Sequence, residues 1–262
     1  MAGAAGRLPV ALAAIGLAVS CATRLPPRPS GPSSPSSDAA AHFAAATSRC
    51  AGLRTLTAEL GLSGRAGDER VRGRVITGLA RGGSVRLEGV APFGAPVFIL
   101  AARDERATLL LPRERRVLDD TPVAQVIERL TGLALGADDL LQALAGCVGA
   151  GEAANGRRWS AAWEAVDTVD ARTVFLRQQA GAWQVAAVDG AGWRADYRAV
   201  ENGFPTEVRL RSEDGRVDLV ASVRQLEVNA AIDAAAFDVE IPPGTEAMTL
   251  DQLRSVAPLR TP

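Results

Sequence analysis

The sequence predicts an α+β domain in which an antiparallel sheet of about eleven strands is interrupted by a few short helices. Three observations carry this reading. Apolar and polar residues alternate with period two through most of the chain after residue 54, as in "RTLTAELGLSG" and "ERVRGRVITGLA". The hairpin-like segments "QAGA", "DGAG", "ENGF" and "EDGR" separate the later alternating runs. The period turns helical near residue 37, after Thr121 and after Gly136.

Taken in order, residues 1–20 read as an export leader: a lone charge, Arg7, precedes an apolar stretch from Leu8 to Val19 that is too short to span a bilayer. Small residues in "LAVSC" lead to Cys21, and a Pro/Ser-rich segment follows it, an arrangement that resembles a bacterial lipobox with its tether. Acylation of Cys21 is therefore expected. An ordinary cleavage nearby, leaving the thiol unmodified, is the alternative, because Ala18 occupies the place where Leu is preferred. Residues 21–37 are expected to form a semi-extended tether reaching roughly 40 to 50 Å from the membrane. By the same resemblance Ala22, rather than Asp, after the cysteine favours the periplasmic face of the outer membrane.

A single domain is expected over residues 38–262. It opens with an Ala-rich helix from Ser37, carrying Phe43 on one face. Six strands follow, with Leu56, Leu60, Val75, Leu87, Ile99 and Leu109 assigned to the inner face and Arg70, Arg72 and Arg74 to the wet one. Between the third and fourth of these strands lies "GVAPFGAPVFIL". Pro92 and Pro96 fix φ and Gly94 permits positive φ, so Phe93 is expected at the tip of an exposed turn. Pro122 to Leu130 and Ala137 to Leu144 read as two short amphipathic helices, the second with Asp138 and Asp139 in its first turn. A Gly/Ala loop at 149–155, five more strands and a tail with a short strand and a helical turn complete the chain. Such a sheet must fold into a sandwich or curl round its helices.

Composition excludes several functions. A net charge of −1 argues against nucleic acid, and no run of eighteen apolar residues follows the leader. Cys50 and Cys147, alone in an oxidising compartment, are expected to form a disulfide, and no C-x-x-C spacing supports a redox or metal pair. No catalytic set is found: His42 is the only histidine and sits in the first helix, "GLSGR" is not a nucleophile elbow, and "GAGEAANG" lacks a Walker lysine. Asp119, Asp120, Asp138 and Asp139 are explained by a strand end and a helix first turn, so neither a metal nor a cofactor is expected.

The segment from Ala91 to Cys147 resembles the LolB-like/LolA-like family of outer-membrane lipoprotein-sorting proteins. The resemblance rests on Pro92-Phe93-Gly94, the acidic strand end Asp119-Asp120, Leu130-Thr131-Gly132 and the second helix from Leu140 to Leu144. It implies an unclosed, strongly curved β-barrel with the two helices as a lid over an apolar cavity. It also implies that Pro92, Phe93 and Gly94 form a loop that touches the membrane. The implied partners are acyl chains of lipoproteins or phospholipids, the membrane through the lipid anchor, and a periplasmic carrier protein. A non-catalytic scaffold or sensory lipoprotein on the same fold stands as the alternative.

Overall fold

The structure is a computed structural model and describes residues 28–90, 96–149 and 151–256. Cys21, Pro92, Phe93 and Gly94 lie outside the described residues. The strands are β1 (Ser34–Pro35), β2 (Thr55–Ala66), β3 (Glu69–Ala80), β4 (Ser84–Val90), β5 (Ile99–Arg103), β6 (Arg106–Leu111), β7 (Arg116–Pro122), β8 (Ala153–Ser160) and β9 (Trp163–Thr168). Then come β10 (Thr173–Gln179), β11 (Ala182–Gly190), β12 (Trp193–Glu201), β13 (Phe204–Ser212), β14 (Val217–Val228) and β15 (Glu246–Ala247). The helices are α1 (Ala39–Thr47), α2 (Val123–Thr131), α3 (Ala137–Ala145) and α4 (Leu250–Val256), with 3-10 turns at Ser48–Gly52 and Ala234–Phe237.

All fifteen strands belong to one sheet, ordered β1-β8-β9-β10-β11-β12-β13-β14-β2-β3-β4-β5-β6-β7-β15. Every pairing is antiparallel except that of β15 with β7. The two ends of the order do not pair with each other, so the sheet is unclosed, and it curls because its inner face must cover α1, α2 and α3. The seam at its centre joins β14 to β2, with Val217 opposite Ala66 and Val228 opposite Leu56.

Strand parity follows the alternation for β2 and β3. Leu56, Ala58 and Leu60 are buried, as are Val71, Val75 and Leu79, while Arg70, Arg72 and Arg74 are exposed. The sheet has four strands beyond the expected eleven. Two of them, β8 and β9, occupy "AANGRRWSAAWEAVDT", where polar residues fall on both faces and hide the period. The tail makes a 3-10 turn at Ala234–Phe237 and then holds the short strand β15 and helix α4.

Residues 28–37 also differ from the expected free tether. Ser34 and Pro35 pair with Arg158 and Arg157 at the β8 edge, and the Trp159 indole N–H donates to Gly31 O at 3.1 Å. The Arg28 guanidinium bonds to Asp196 at 2.9 Å, to Asp189, and to Ala195 O at 3.2 Å. A Ser/Pro-rich segment has no side chains for a core, yet an open strand edge and two carboxylates hold it from outside.

At the other edge the tail wraps the sheet. Arg86 donates to Ala236 O and Asp238 O, Arg103 pairs with Asp238 at 2.8 Å, and Met248 N–H bonds to Val117 O. Helix α4 then reaches α2 through Arg129 and Asp251, 2.9 Å apart. Each outer edge of the sheet is thereby partly covered, β8 by Ser34–Pro35 and β7 by Glu246–Ala247.

Candidate functional site: an apolar cavity with a polar mouth

Between the inner face of the sheet and helices α2 and α3 lies an apolar cavity of about 100 Å³. Period two delivers its floor: Leu60 and Leu62 from β2, Val75 and Leu79 from β3, Leu87 from β4, and Leu219 and Ala221 from β14. Helical spacing delivers its roof, with Ile127 and Leu130 from α2 and Leu140 and Leu144 from α3. Leu133 and Leu135, in the link between the helices, close one wall. The volume is below the roughly 300–1,000 Å³ of drug-sized ligand pockets, so a long ligand requires the roof to shift.

Of the six inner-face residues assigned from sequence, Leu60, Val75 and Leu87 line this cavity. Leu56 and Leu109 are fully buried in the surrounding core. Ile99 is a correction: it is half-buried and faces outward, while Phe98 and Leu100 are buried inward. The register is set by Gly89, whose N–H bonds to Phe98 O at 3.0 Å and whose O accepts from Val97 at 2.9 Å. Gly89 is needed there, because a Cβ would sit 2.6 Å from the Phe98 ring. The run "VFIL" has no polar partner to mark its parity, so sequence alone could not show which residues point in.

The roof is held at definite points. Glu105, in the β5–β6 turn, accepts the N–H of Ala137 at 3.1 Å with either carboxylate oxygen and caps α3. Asp138 accepts from Gly82 N–H at 3.1 Å, and Asp139 pairs with Arg172 at 3.0 Å. Helix α2 ends in a left-handed Gly132, φ 82°, and a Cβ there would meet Val217 at 2.7 Å. Past the far end of α3, Cys147 is bonded to Cys50, with Cα atoms 5.5 Å apart. Arg49 bridges the same junction by donating to Ala46 O, Ala145 O and Gly146 O. Burial pushes the Arg49 guanidinium below its ordinary pKa, although Tyr197 partly offsets this.

Leu130 and Thr131 also line a second, polar hollow of about 500 Å³ that adjoins the cavity. Its rim comes from three hairpin turns: Ala66 and Gly67 between β2 and β3, Gly192 between β11 and β12, and Ser212 to Val217 between β13 and β14. Asp214 on this rim has its pKa lowered to about 2, first by the Ser212 hydroxyl and then by the N–H and guanidinium of Arg216. It stays ionised at any physiological pH.

The described residues bring together no nucleophile and base. His42 Nδ1 lies 2.7 Å from Glu164 Oε2, and the Ser36 hydroxyl bonds to Glu164 Oε1 at 2.9 Å rather than to the imidazole. The carboxylate therefore separates the hydroxyl from the base, which is not the order nucleophilic catalysis needs. The ring of His42 stacks on Trp183, 4.8 Å between centroids. Burial raises the pKa of Glu164, but the hydrogen bonds from His42, Arg158 and Ser36 outweigh it and hold the carboxyl below its usual range. Asp119 accepts from the Thr108 hydroxyl and Asp120 pairs with Arg106, apart from Asp138 and Asp139; no group of metal-ligating side chains occurs among the described residues.

Several solved structures are similar to this chain at low identity. A DUF1329 family protein from Desulfovibrio piger has 11% identity and a TM-score of 0.47, over 78% of this chain and 98% of that one. A LolA superfamily protein from Nitrosomonas europaea has 9% identity and a TM-score of 0.45, over 71% and 91%. A putative outer membrane lipoprotein-sorting protein domain from Vibrio parahaemolyticus has 10% identity and a TM-score of 0.44, over 76% and 97%. The last two carry the names of the family group that the sequence resembles. At these identities and scores the likeness assigns neither ligand nor activity to this chain. No protein-family model matches the sequence, and no curated protein is similar to it.

Proposed function

We propose that this chain is a periplasmic lipoprotein, anchored in the outer membrane through Cys21, that binds acyl chains in its apolar cavity and takes part in localising lipoproteins or lipids to that membrane. It works by binding rather than catalysis. The observation that carries the reading is the cavity: aliphatic side chains from both the sheet and the helices face one space, and a polar hollow adjoins it. An acyl chain gains about 0.8 kcal/mol per buried methylene, and a polar rim suits the end of the ligand that stays wet. Helices α2 and α3 act as the lid. Each has nine residues, and the small resting cavity means that the lid moves to admit a chain.

The test uses the mature chain with Cys21→Ala, purified from the periplasm. Lipid extraction and mass spectrometry are expected to find a bound acyl lipid, and the stripped protein to bind a fluorescent fatty acid. A folded, stripped protein that takes up no fatty acid overturns the reading.

A further inference from the structure

We infer that Phe98 sets the length of acyl chain the cavity accepts, its ring standing where the end of a longer chain would lie. The inference rests on the acyl-binding reading above and names the residue that limits the ligand.

The ring is built into the cavity wall. Leu60 pairs with Val75, Val75 with Gly89, and Gly89 with Phe98, so the four form one row across β2, β3, β4 and the start of β5. Leu60, Val75 and Phe98 line the cavity, and Phe98, buried at 3% exposure, is the one aromatic side chain among its lining residues. Gly89 has no side chain to place in that row, and the Phe98 ring lies over it: a Cβ there would meet two ring atoms at 2.6 Å. The φ of Gly89 is not positive, so its backbone does not itself call for glycine. Room for the ring is what the glycine supplies.

The polar hollow gives the direction. It meets the cavity at Leu130 and Thr131, and it also takes in the β2–β3 turn and Val217 on β14. Phe98 lies on the opposite flank, since the sheet order runs β14-β2-β3-β4-β5. A ligand with its polar end in the hollow therefore points its apolar end across β2 and β3 toward the ring. Past the ring, Leu100 and Leu109 belong to the packed core and not to the cavity lining, so the ring is where the cavity stops. Removing a buried ring opens space for a benzene-sized group, as much as the resting cavity itself offers.

Displacement of a fluorescent fatty acid by saturated acids from octanoate to stearate tests this on the stripped Cys21→Ala chain. With Phe98 in place, affinity is expected to rise about fourfold per buried methylene and to level off at a definite length. Phe98→Ala and the milder Phe98→Leu are expected to move that plateau to longer acids, with the first acids beyond the old plateau gaining about fourfold or more. Phe98→Trp is expected to move it to shorter ones. Leu109→Ala, which hollows the same core away from the cavity lining, is the control: it lowers stability and leaves the plateau in place. Circular dichroism sets each measurement below the variant's unfolding transition, and Phe98→Leu decides if Phe98→Ala does not fold. A plateau unchanged by Phe98→Leu, or moved equally by Leu109→Ala, overturns the assignment while leaving acyl binding standing. A folded chain with Phe98 in place that binds none of the acids overturns the acyl-binding reading itself, and the assignment with it.

Discussion

Cys50 and Cys147 are bonded across a sequence separation of 97, joining the 3-10 turn behind α1 to the chain just beyond α3. One end of the roof is thus fixed covalently, while the other is held by the Glu105 cap.

Opening the disulfide relaxes a long loop in the unfolded chain. Replacing both cysteines by Ser is expected to cost about 3 to 5 kcal/mol by the chain-entropy account. Thermal unfolding would show a fall of several degrees, with fatty-acid binding preserved below the transition. Mass spectrometry of unreduced peptides checks the bond itself.

If the roof opens as proposed, the Glu105 cap on α3 is a contact that must release. Glu105→Ala removes a carboxylate from the first turn of α3, at a cost of about 1 kcal/mol. Faster uptake of a fluorescent fatty acid at nearly unchanged equilibrium stability is the expected result. Unchanged uptake would mean that the roof opens elsewhere.

Two substitutions by aspartate separate the inner face from the outer. Leu60→Asp puts a carboxylate into the cavity and is expected to abolish acyl binding. Ile99→Asp, on the outer face, is expected to leave binding within about twofold of wild type, with circular dichroism confirming that both variants fold.

Acid should loosen the N-terminal helix. Glu164 has a folded-state pKa below its unfolded value, so its contribution is full above about pH 4.5 and is lost as pH falls through the lower folded value. Stability in urea is expected to fall below that pH, and Glu164→Ala, which removes a buried carboxylate from its partly exposed partners His42 and Arg158, to lower stability at neutral pH and to flatten the dependence.

Phe93 separates uptake from delivery. Burial of its ring in a membrane is worth about 1.5 to 3 kcal/mol, a gain that Phe93→Glu removes. The variant is expected to take up acyl chains normally and to release them to liposomes poorly; normal release would remove a membrane-touching role from Phe93.

What the sequence made legible was governed by where polar residues mark a face. Leu60, Val75 and Leu87 were readable as inner because Glu59, Arg74 and Arg86 alternate with them. Ile99 was not, since its neighbours on both sides are apolar. The β8–β9 pair was concealed by Asn155, Arg157 and Arg158, and by Glu164, a fully buried acid whose partners come from α1, β8 and residue 36. Long-range partners of this kind leave no local pattern. The docked segment was missed for the same reason: Ser34 and Pro35 read as linker, and only the β8 edge, about 120 residues on, makes them a strand.

The central seam has a consequence for how the protein is made. Because β14 pairs with β2, the strands emerging first wait for a partner some 150 residues later, and no early fragment contains both halves of the sheet's middle. Sheets dominated by such distant pairings fold slowly. For a chain exported as proposed, that delay would keep the sheet open during passage across a membrane and let it close on the side where Cys50 and Cys147 are oxidised.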